Sequence, residues 1–137
     1  LYRQRWLIEE FFKALKTGCS LERRQIESYE GFCKVLAILA PIASQLMWLR
    51  GMERRHPNEP AETIFTRVEL EILHRARATQ GMAKAKTVGD ALLLLARLGG
   101  HLKNNGAPGW MTLGQGYEEL LLLQLGWQMA MSSLEEM

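Results

Sequence analysis

Four polar residues near the start of the chain have the types and the spacing that chemistry on a phosphodiester requires. Tyr2, Arg5, Glu9 and Lys16 follow the pattern Y-x2-R-x3-E-x6-K. At about 100° of helical advance per residue, all four fall on one narrow arc of a helix. A carboxylate binds divalent metal ions, while a phenol, a guanidinium and an ammonium hold the flanking phosphates. The arc therefore predicts a site that faces a phosphodiester.

The other side of the same helix carries an apolar stripe, formed by Leu7, Ile8, Phe11, Ala14 and Leu15. This stripe is expected to bury itself and to leave the polar arc open to solvent. A simpler interpretation of the arc is the solvated face of an amphipathic helix, in which Arg5 and Glu9 pair at i,i+4. The residues that continue the pattern decide between the two interpretations.

The continuation is specific over about the first 27 residues. Trp6, Ile8 and Phe11-Phe12-Lys13 accompany the four polar residues, followed by Leu15-Lys16-Thr17-Gly18-Cys19 and Leu21-Glu22-Arg23-Arg24-Gln25-Ile26-Glu27. This segment resembles the YREK signature of bacterial insertion-sequence transposases, which are DDE enzymes with an RNase H-like catalytic domain. Residues 96–100 and 108–116 resemble, more weakly, the carboxy-terminal helical region of the same family.

The resemblance implies roles for individual residues. In these enzymes two aspartates on strands and a glutamate on a later helix bind two metal ions, and Glu9 is similar to that glutamate, with Mg²⁺ or Mn²⁺ as the ion. Tyr2, Arg5 and Lys16 would hold phosphates near the transposon end. Trp6 lies about 40° round the helix, where an aromatic ring could stack on a displaced base. Packing at the edge of the helix's own apolar side is the alternative for Trp6.

The basic residues of the chain are concentrated in its first part. Residues 1–56 contain 10 Lys and Arg against 6 Glu, whereas residues 57–137 contain 7 against 9 acidic residues. This asymmetry fits an amino-terminal part that faces phosphate. Arg23 and Arg24 could extend the DNA-binding surface, or could instead pair with neighbouring glutamates.

The acidic residues of a DDE site are incomplete in this sequence. Asp90 is the one aspartate of the chain, and it lies in a helical, leucine-rich stretch. We therefore expect the chain to be the carboxy-terminal part of a longer transposase, truncated ahead of the glutamate helix. Alone it should be inactive and should bind no metal ion tightly, because one carboxylate leaves most of a divalent ion's coordination shell to water.

The sequence predicts an all-α fold of about five helices, since helical periodicity recurs and no alternating strand pattern of useful length is present. The first helix is expected to end at residues 17–18, where Gly18 offers a left-handed cap. A long spine helix follows from about residue 28 to residue 55. It is apolar nearly all round between residues 35 and 49, which predicts cover on several sides, and Pro41 should kink or break it.

Three shorter helices follow, each predicted from a capping pattern. They are expected at about residues 67–78, 88–99 and 113–131, after Thr66-x-x-Glu69, Thr87-x-x-Asp90 and Thr112-x-x-Gln115. The polar segment around residues 56–60 carries two prolines and is the expected boundary. Residues 1–56 would hold the glutamate helix and the spine, from the end of the catalytic domain. Residues 57–137 would form a carboxy-terminal dimerisation region.

Two runs of four leucines suggest a protein partner. Residues 92–95 and 120–123 cover every side of a helix, so some leucine surface must face away from the local core. The resemblance implies a homodimer through the carboxy-terminal helices, and Trp127, Met129 and Met131 fit such an interface. Burial within this chain alone is the alternative.

The remaining composition restricts the class of protein. With 137 residues the chain can bury one core, and Cys19 and Cys33 are not spaced as zinc ligands. The apolar run at residues 35–49 is shorter than the ~20 residues that span a bilayer, and no secretory signal is present. We expect a cytoplasmic bacterial protein without a membrane segment.

The sequence thus predicts the carboxy-terminal segment of a DNA transposase, which supplies the third acidic residue, phosphate contacts and a dimerisation surface. The alternative from a different class is a non-catalytic all-α module for protein interaction or dimerisation. A third possibility is an inhibitory product that dimerises with intact enzyme without cutting DNA.

Overall fold

The computed structural model describes residues 2–21, 24, 26–101 and 107–136, except for the side chain of Tyr2. The described chain forms five α-helices and contains no β-strand, which confirms the all-α prediction. Extended pairing is limited there to a single bridge between Pro60 and Thr87. The helices are α1 (Tyr2–Lys13), α2 (Tyr29–Arg55), α3 (Arg67–Arg75), α4 (Val88–Leu98) and α5 (Trp110–Glu135).

The first helix continues into one π-helical turn, Ala14–Gly18. The turn closes at Cys19, whose backbone N–H donates to the Ala14 carbonyl oxygen over 2.9 Å. The predicted end of the helix at residues 17–18 is therefore confirmed. The predicted left-handed conformation of Gly18 is wrong, because the left-handed residue of this turn is Ser20, with φ of 55°. Gly18 is needed for a different reason, which is its close contact with α5.

The spine helix begins and ends as predicted. Ser28 caps α2, and its hydroxyl accepts the backbone N–H of Gly31 over 3.0 Å. The helix then runs for 27 residues and continues through Pro41. A bend at that proline stays a prediction.

The expected cover of α2 on several sides is confirmed only in part. Its buried residues share one face at i, i+4, i+7 and i+10 spacing, and they are Leu39, Ala43, Leu46 and Leu49. Beside this face Ile38 is 66% exposed, and opposite it Trp48 is 42% exposed. The π-turn, α1, α4 and α5 all contact α2, but they leave Ile38 and Trp48 open to solvent.

The length and composition of α2 would also allow it to span a membrane. Its most apolar 18-residue window has a mean hydropathy of 1.7, and 22% of that window is buried. The helix is thus longer than the apolar run at residues 35–49, which was compared above with the length that spans a bilayer. Core helices of soluble proteins meet the same criterion, so the cytoplasmic location stays a prediction.

Two of the three predicted capping boxes are present. The Thr66 hydroxyl accepts the backbone N–H of Glu69 over 3.2 Å, and the Glu69 carboxylate accepts that of Thr66 over 3.0 Å. Thr87 and Asp90 make the same reciprocal pair at 3.2 and 3.3 Å. Both boxes place the starts of α3 and α4 where the sequence predicted them. The end of α3 lies at Arg75, earlier than expected, and a short 3₁₀ turn follows it.

The third predicted capping box is absent. The last helix begins at Trp110, with Gly109 as its cap, and the Thr112 hydroxyl donates back to the Gly109 carbonyl oxygen over 3.1 Å. Thr112 therefore lies inside the first turn. The helix also runs four residues beyond its predicted end, to Glu135.

Thr87, which caps α4, and Thr112, which lies inside the first turn of α5, give a matched pair for a stability test. We expect Thr87→Ala to lower the free energy of unfolding by about 1 kcal/mol, because the first-turn N–H of Asp90 loses its acceptor. Thr112→Ala should change it by less than about 0.5 kcal/mol, since Thr112 caps no N–H group. Urea unfolding measures both values. Equal losses in the two variants would contradict the assignment of the caps.

A single hydrophobic cluster joins the two halves of the chain. It contains Leu46 and Leu49 of α2 together with Leu92 and Leu95 of α4. Glycines bring α5 close to its neighbours: a Cβ on Gly114 would overlap the backbone of Gly18 in the π-turn. The helix that carries Glu9 is thus held from its carboxyl end. The functional division at residue 56 stays a prediction.

Candidate active site

Glu9 and Arg5 lie together on an open face of α1. The Arg5 Nε atom is 3.5 Å from the Glu9 Oε1 atom, and the two side chains are 81% and 60% exposed. A surface ion pair of this kind contributes less than about 1 kcal/mol, so neither group is tied to the other. The carboxylate is open to a ligand that approaches from solvent.

Lys16 lies beyond Glu9, in the π-turn, and its side chain is exposed. A π-helical turn holds more residues than an α-helical turn, so the angle predicted for Lys16 from a regular helix does not apply past Lys13. The structure therefore brings Arg5 and Glu9 together, while a shared arc with Lys16 stays a prediction. No local pattern of residues predicts the π-turn. Such turns often occur at functional sites.

Tyr2 and Arg23 are two further predicted DNA contacts. The side chain of Tyr2 and the whole of Arg23 lie outside the described residues. Arg24 is described, and its guanidinium donates to the Cys19 carbonyl oxygen over 3.3 and 3.2 Å. It therefore helps to close the turn after α1, a role that neither of its two predicted alternatives included.

The apolar stripe of α1 is covered only at its carboxyl end. Ala14 and Leu15 are buried, whereas Leu7 and Ile8 are largely exposed. The predicted burial of the whole stripe is therefore wrong for this chain. The reason is that α5 and α2 pack against the π-turn and leave the first two turns of α1 uncovered.

Trp6 faces a groove between α1, α2 and the start of α5. The groove has a volume of about 750 Å³. We call it the Trp–Arg groove after the tryptophans and arginines in its lining, which are Arg3, Trp6, Trp48, Arg54, Arg55 and Trp110. Of these six residues, only Trp6 was predicted from the sequence to contact DNA. The α2 residues could have been found from the i, i+3 and i+7 spacing of Trp48, Gly51 and Arg55, which places them on one face.

Arg50 supports one wall of this groove. Its guanidinium carbon lies 5.2 Å from the centre of the Trp110 ring, and its Nη1 donates to the Pro108 carbonyl oxygen over 2.6 Å. Burial lowers the pKa of this guanidinium, and the positive charge of Arg54 lowers it further. Arg50 thus links the long helix to the first residue of α5.

The described residues alone do not make a metal site. They contain no group of three or more His, Cys, Asp or Glu side chains placed to share an ion. Asp90 is occupied as the capping carboxylate of α4, where it accepts backbone N–H groups of Lys86 and Thr87. Glu9 can therefore provide one oxygen ligand, and any further ligands must come from outside this described set.

The comparison with known protein families bears on the same segment. Residues 1–42 match the sequence model of the family described as Transposase DDE domain. The matched segment contains α1 with Glu9, the π-turn and the first half of α2. The match supports a relation of this part of the chain to DDE transposases.

Proposed function

We propose that this chain supplies the glutamate-bearing helix of a DDE transposase, with Glu9 as the third acidic residue of the DDE triad. The observation that carries this proposal is the position of Glu9. It is an exposed carboxylate beside a guanidinium, within the segment that matches the transposase DDE domain. The two aspartates of the triad would come from another part of the intact enzyme, because Asp90, the one aspartate of this sequence, caps α4.

The residues around Glu9 would contact the DNA. Arg5 lies close enough to orient the Glu9 carboxylate and exposed enough to contact a phosphate. Tyr2, Lys16 and Arg23 would hold further phosphates, and Trp6 would stack on a base. In the assembled enzyme Glu9 would be one ligand of Mg²⁺ or Mn²⁺, an ion that activates the attacking oxygen and stabilises charge on the phosphate.

Strand cleavage by the assembled transposase is the experiment that tests this proposal. The enzyme is compared with and without the Glu9 carboxylate, and binding of the transposon ends is measured on the same proteins. Loss of cleavage with retained binding supports the proposal. Unchanged cleavage would instead favour the alternative of a non-catalytic interaction module.

A dimerisation surface on α5 is the second part of the proposal. The buried residues of α5 lie in its first half and are Leu113, Gly114, Gly116 and Leu120. The second half exposes Leu122, Leu125 and Met129, which share one face at i, i+3 and i+7 spacing. Monomeric proteins seldom leave a continuous apolar face of this kind in water. A second copy of the chain, packed along this face, would cover it.

The dimer can be tested with two substitutions of similar exposure. Leu122 and Ile38 are 61% and 66% exposed, on α5 and α2 respectively. We expect the chain and its Ile38→Glu variant to sediment as dimers, and Leu122→Glu to sediment as a monomer, because a carboxylate cannot be buried in an apolar interface without a large cost. Sedimentation velocity at one protein concentration measures all three. If Leu122→Glu stays dimeric, the α5 face is not the interface.

The cellular location follows from the same proposal. A transposase acts on DNA in the bacterial cytoplasm, and we propose that location for this chain.

The inhibitory alternative makes a separate prediction: the chain, added to intact transposase, would lower transposition by forming mixed dimers through α5. Unchanged transposition in that mixture would count against inhibition and leave the main proposal intact.

A further inference from the structure

The Trp–Arg groove is distinct from the Glu9 face of α1. Taking Tyr2 as zero and about 100° per residue, Glu9 lies near −20°, whereas Arg3, Leu7 and Glu10 lie between about 80° and 140°. These three residues line the groove. Trp6 lies between the two faces, near 40° on the same scale. A strand that leaves the Glu9 face could therefore cross Trp6 and enter the groove.

The groove has an excess of positive charge. Within the described part of the chain, no carboxylate forms an ion pair with Arg3, Arg54 or Arg55, whereas Arg5 and Arg75 each pair with a glutamate at i+4 or i−4. Glu10 is the one carboxylate in the described lining, and its Oε1 lies 3.8 Å from the Lys13 ammonium. The three arginines are therefore left to attract an anion from outside the chain.

The shape of the groove is built by contacts within it. The Arg55 Nε atom donates to the Gly51 carbonyl oxygen over 3.3 Å, so this side chain folds back along α2. A Cβ at residue 51 would lie 2.8 Å from the Arg55 Nη2 atom, and glycine therefore leaves room for that guanidinium. The Arg50 guanidinium packs over the Trp110 ring. The groove thus presents indole rings beside fixed positive charge.

We propose that the Trp–Arg groove binds an unpaired stretch of DNA strand. Bases stack on Trp6 and Trp48, and Arg54 and Arg55 contact the phosphates. The choice of DNA rests on the proposed function, while the groove itself does not depend on Glu9. Indole rings favour flat bases, and a duplex keeps its base faces stacked inside, so an unpaired strand fits the lining better than a duplex or an acidic peptide. The volume is in the range of ligand-binding clefts.

The test measures the affinity of the 137-residue chain for a fluorescent oligodeoxythymidylate of about eight nucleotides, within the usual size of single-strand sites. We expect the double variant Arg54→Gln/Arg55→Gln to bind about tenfold more weakly. The slope of log affinity against log salt should fall in magnitude by about 1.4, because each phosphate contact on a single strand contributes about 0.7.

The matched control removes the same charge elsewhere. Arg67 and Arg77 are exposed and lie outside the groove lining. We expect Arg67→Gln/Arg77→Gln to change the affinity by less than about threefold, since long-range charge effects are screened at physiological salt. Equal losses in the two double variants would overturn the proposal, because they would mean that net charge alone attracts the strand.

Variants of Trp48 test whether bases stack on its ring. Trp48 is well exposed, and circular dichroism would verify that its replacement leaves the fold intact. Trp48→Ala should weaken binding about tenfold, and Trp48→Phe should restore most of the affinity, since base stacking needs an aromatic face. Affinity equal to the wild type in Trp48→Ala, or tighter binding of the matching duplex than of the single strand, would also overturn the proposal.

Strand binding by the 137-residue chain and cleavage by the assembled transposase separate this proposal from the catalytic one. Cleavage retained in Glu9→Ala, together with strand binding that depends on Arg54, Arg55 and Trp48, would contradict the catalytic proposal alone. Loss of cleavage in Glu9→Ala, together with strand affinity that is insensitive to Arg54→Gln/Arg55→Gln and to Trp48→Ala, would contradict the groove proposal alone.

Discussion

Replacing Glu9 with alanine lowers strand cleavage by the assembled transposase by about 10³-fold or more, the factor expected when a metal ion that stabilises several kcal/mol of transition-state charge loses a ligand. Glu9 is exposed, and it pairs with Arg5 on the same helix. The substitution should therefore leave the fold unchanged. Cleavage of labelled transposon-end DNA, followed on gels over time, measures the rate.

The control for this prediction is a glutamate with similar surroundings. Glu30 lies on α2 and pairs with Lys34 at i,i+4 over 3.5 Å, as Glu9 pairs with Arg5. Glu30→Ala should cleave at the wild-type rate, and both variants should bind the transposon end with wild-type affinity. If Glu9→Ala still cleaves, or if it loses end binding as well as cleavage, Glu9 is not a metal ligand at the reacting phosphate.

Gly114→Ala lowers the free energy of unfolding of the chain by about 3 kcal/mol, the upper part of the range for overpacked contacts. A Cβ at this position would overlap the carbonyl oxygen and the Cα of Gly18. Both clashing groups are backbone, so no side-chain rotation relieves the overlap. The helix α5 must move away from the π-turn, and the Leu113 and Leu120 packing on either side is lost with it.

Gly126 is the matched control on the same helix. A Cβ there would meet no atom within 4 Å, and the residue is exposed. Gly126→Ala should raise the free energy of unfolding by about 0.5–1 kcal/mol, because alanine favours the helix over the unfolded chain. Urea unfolding at low protein concentration measures both variants. Destabilisation of similar size in the two would mean that the Gly18–Gly114 contact is not what sets the stability.

This contact also has a consequence for Glu9. The π-turn that ends the glutamate helix is buried against α5, and the first turns of α1 have no such support. The orientation of α1 therefore depends on α5 at the Gly18–Gly114 contact and on α2, which also packs against the π-turn and α1. Since the proposed dimer surface is the second half of α5, one helix would both hold the catalytic segment and join the two protomers.

The parts of the fold that sequence analysis predicted are those encoded by local signals. Thr66 and Thr87 each cap a helix through a hydrogen bond to a residue three positions later, so residues close in sequence were enough to find them. Glu9 and Arg5 were found in the same way, because i,i+4 neighbours on a helix must lie close together.

The parts that sequence analysis missed depend on distant contacts. The position of Gly18 is typical of a glycine that ends a helix. Its role is instead close packing against Gly114, almost a hundred residues later in the chain. Thr112-x-x-Gln115 has the pattern of a capping box, yet Gly109 starts the helix instead. The Trp–Arg groove combines residues from α1, α2 and α5, and no single segment shows that they meet.

The most direct measurement of the central claim is the metal dependence of cleavage by a Glu9→Cys transposase. A carboxylate suits Mg²⁺ and Mn²⁺ equally as an oxygen ligand, whereas a thiolate is a softer ligand that binds Mn²⁺ better than Mg²⁺. The proposed role predicts that Glu9→Cys loses cleavage in Mg²⁺ and regains a measurable part of it in Mn²⁺. Cleavage in Mg²⁺ at the wild-type rate would contradict the claim that Glu9 binds the catalytic ion.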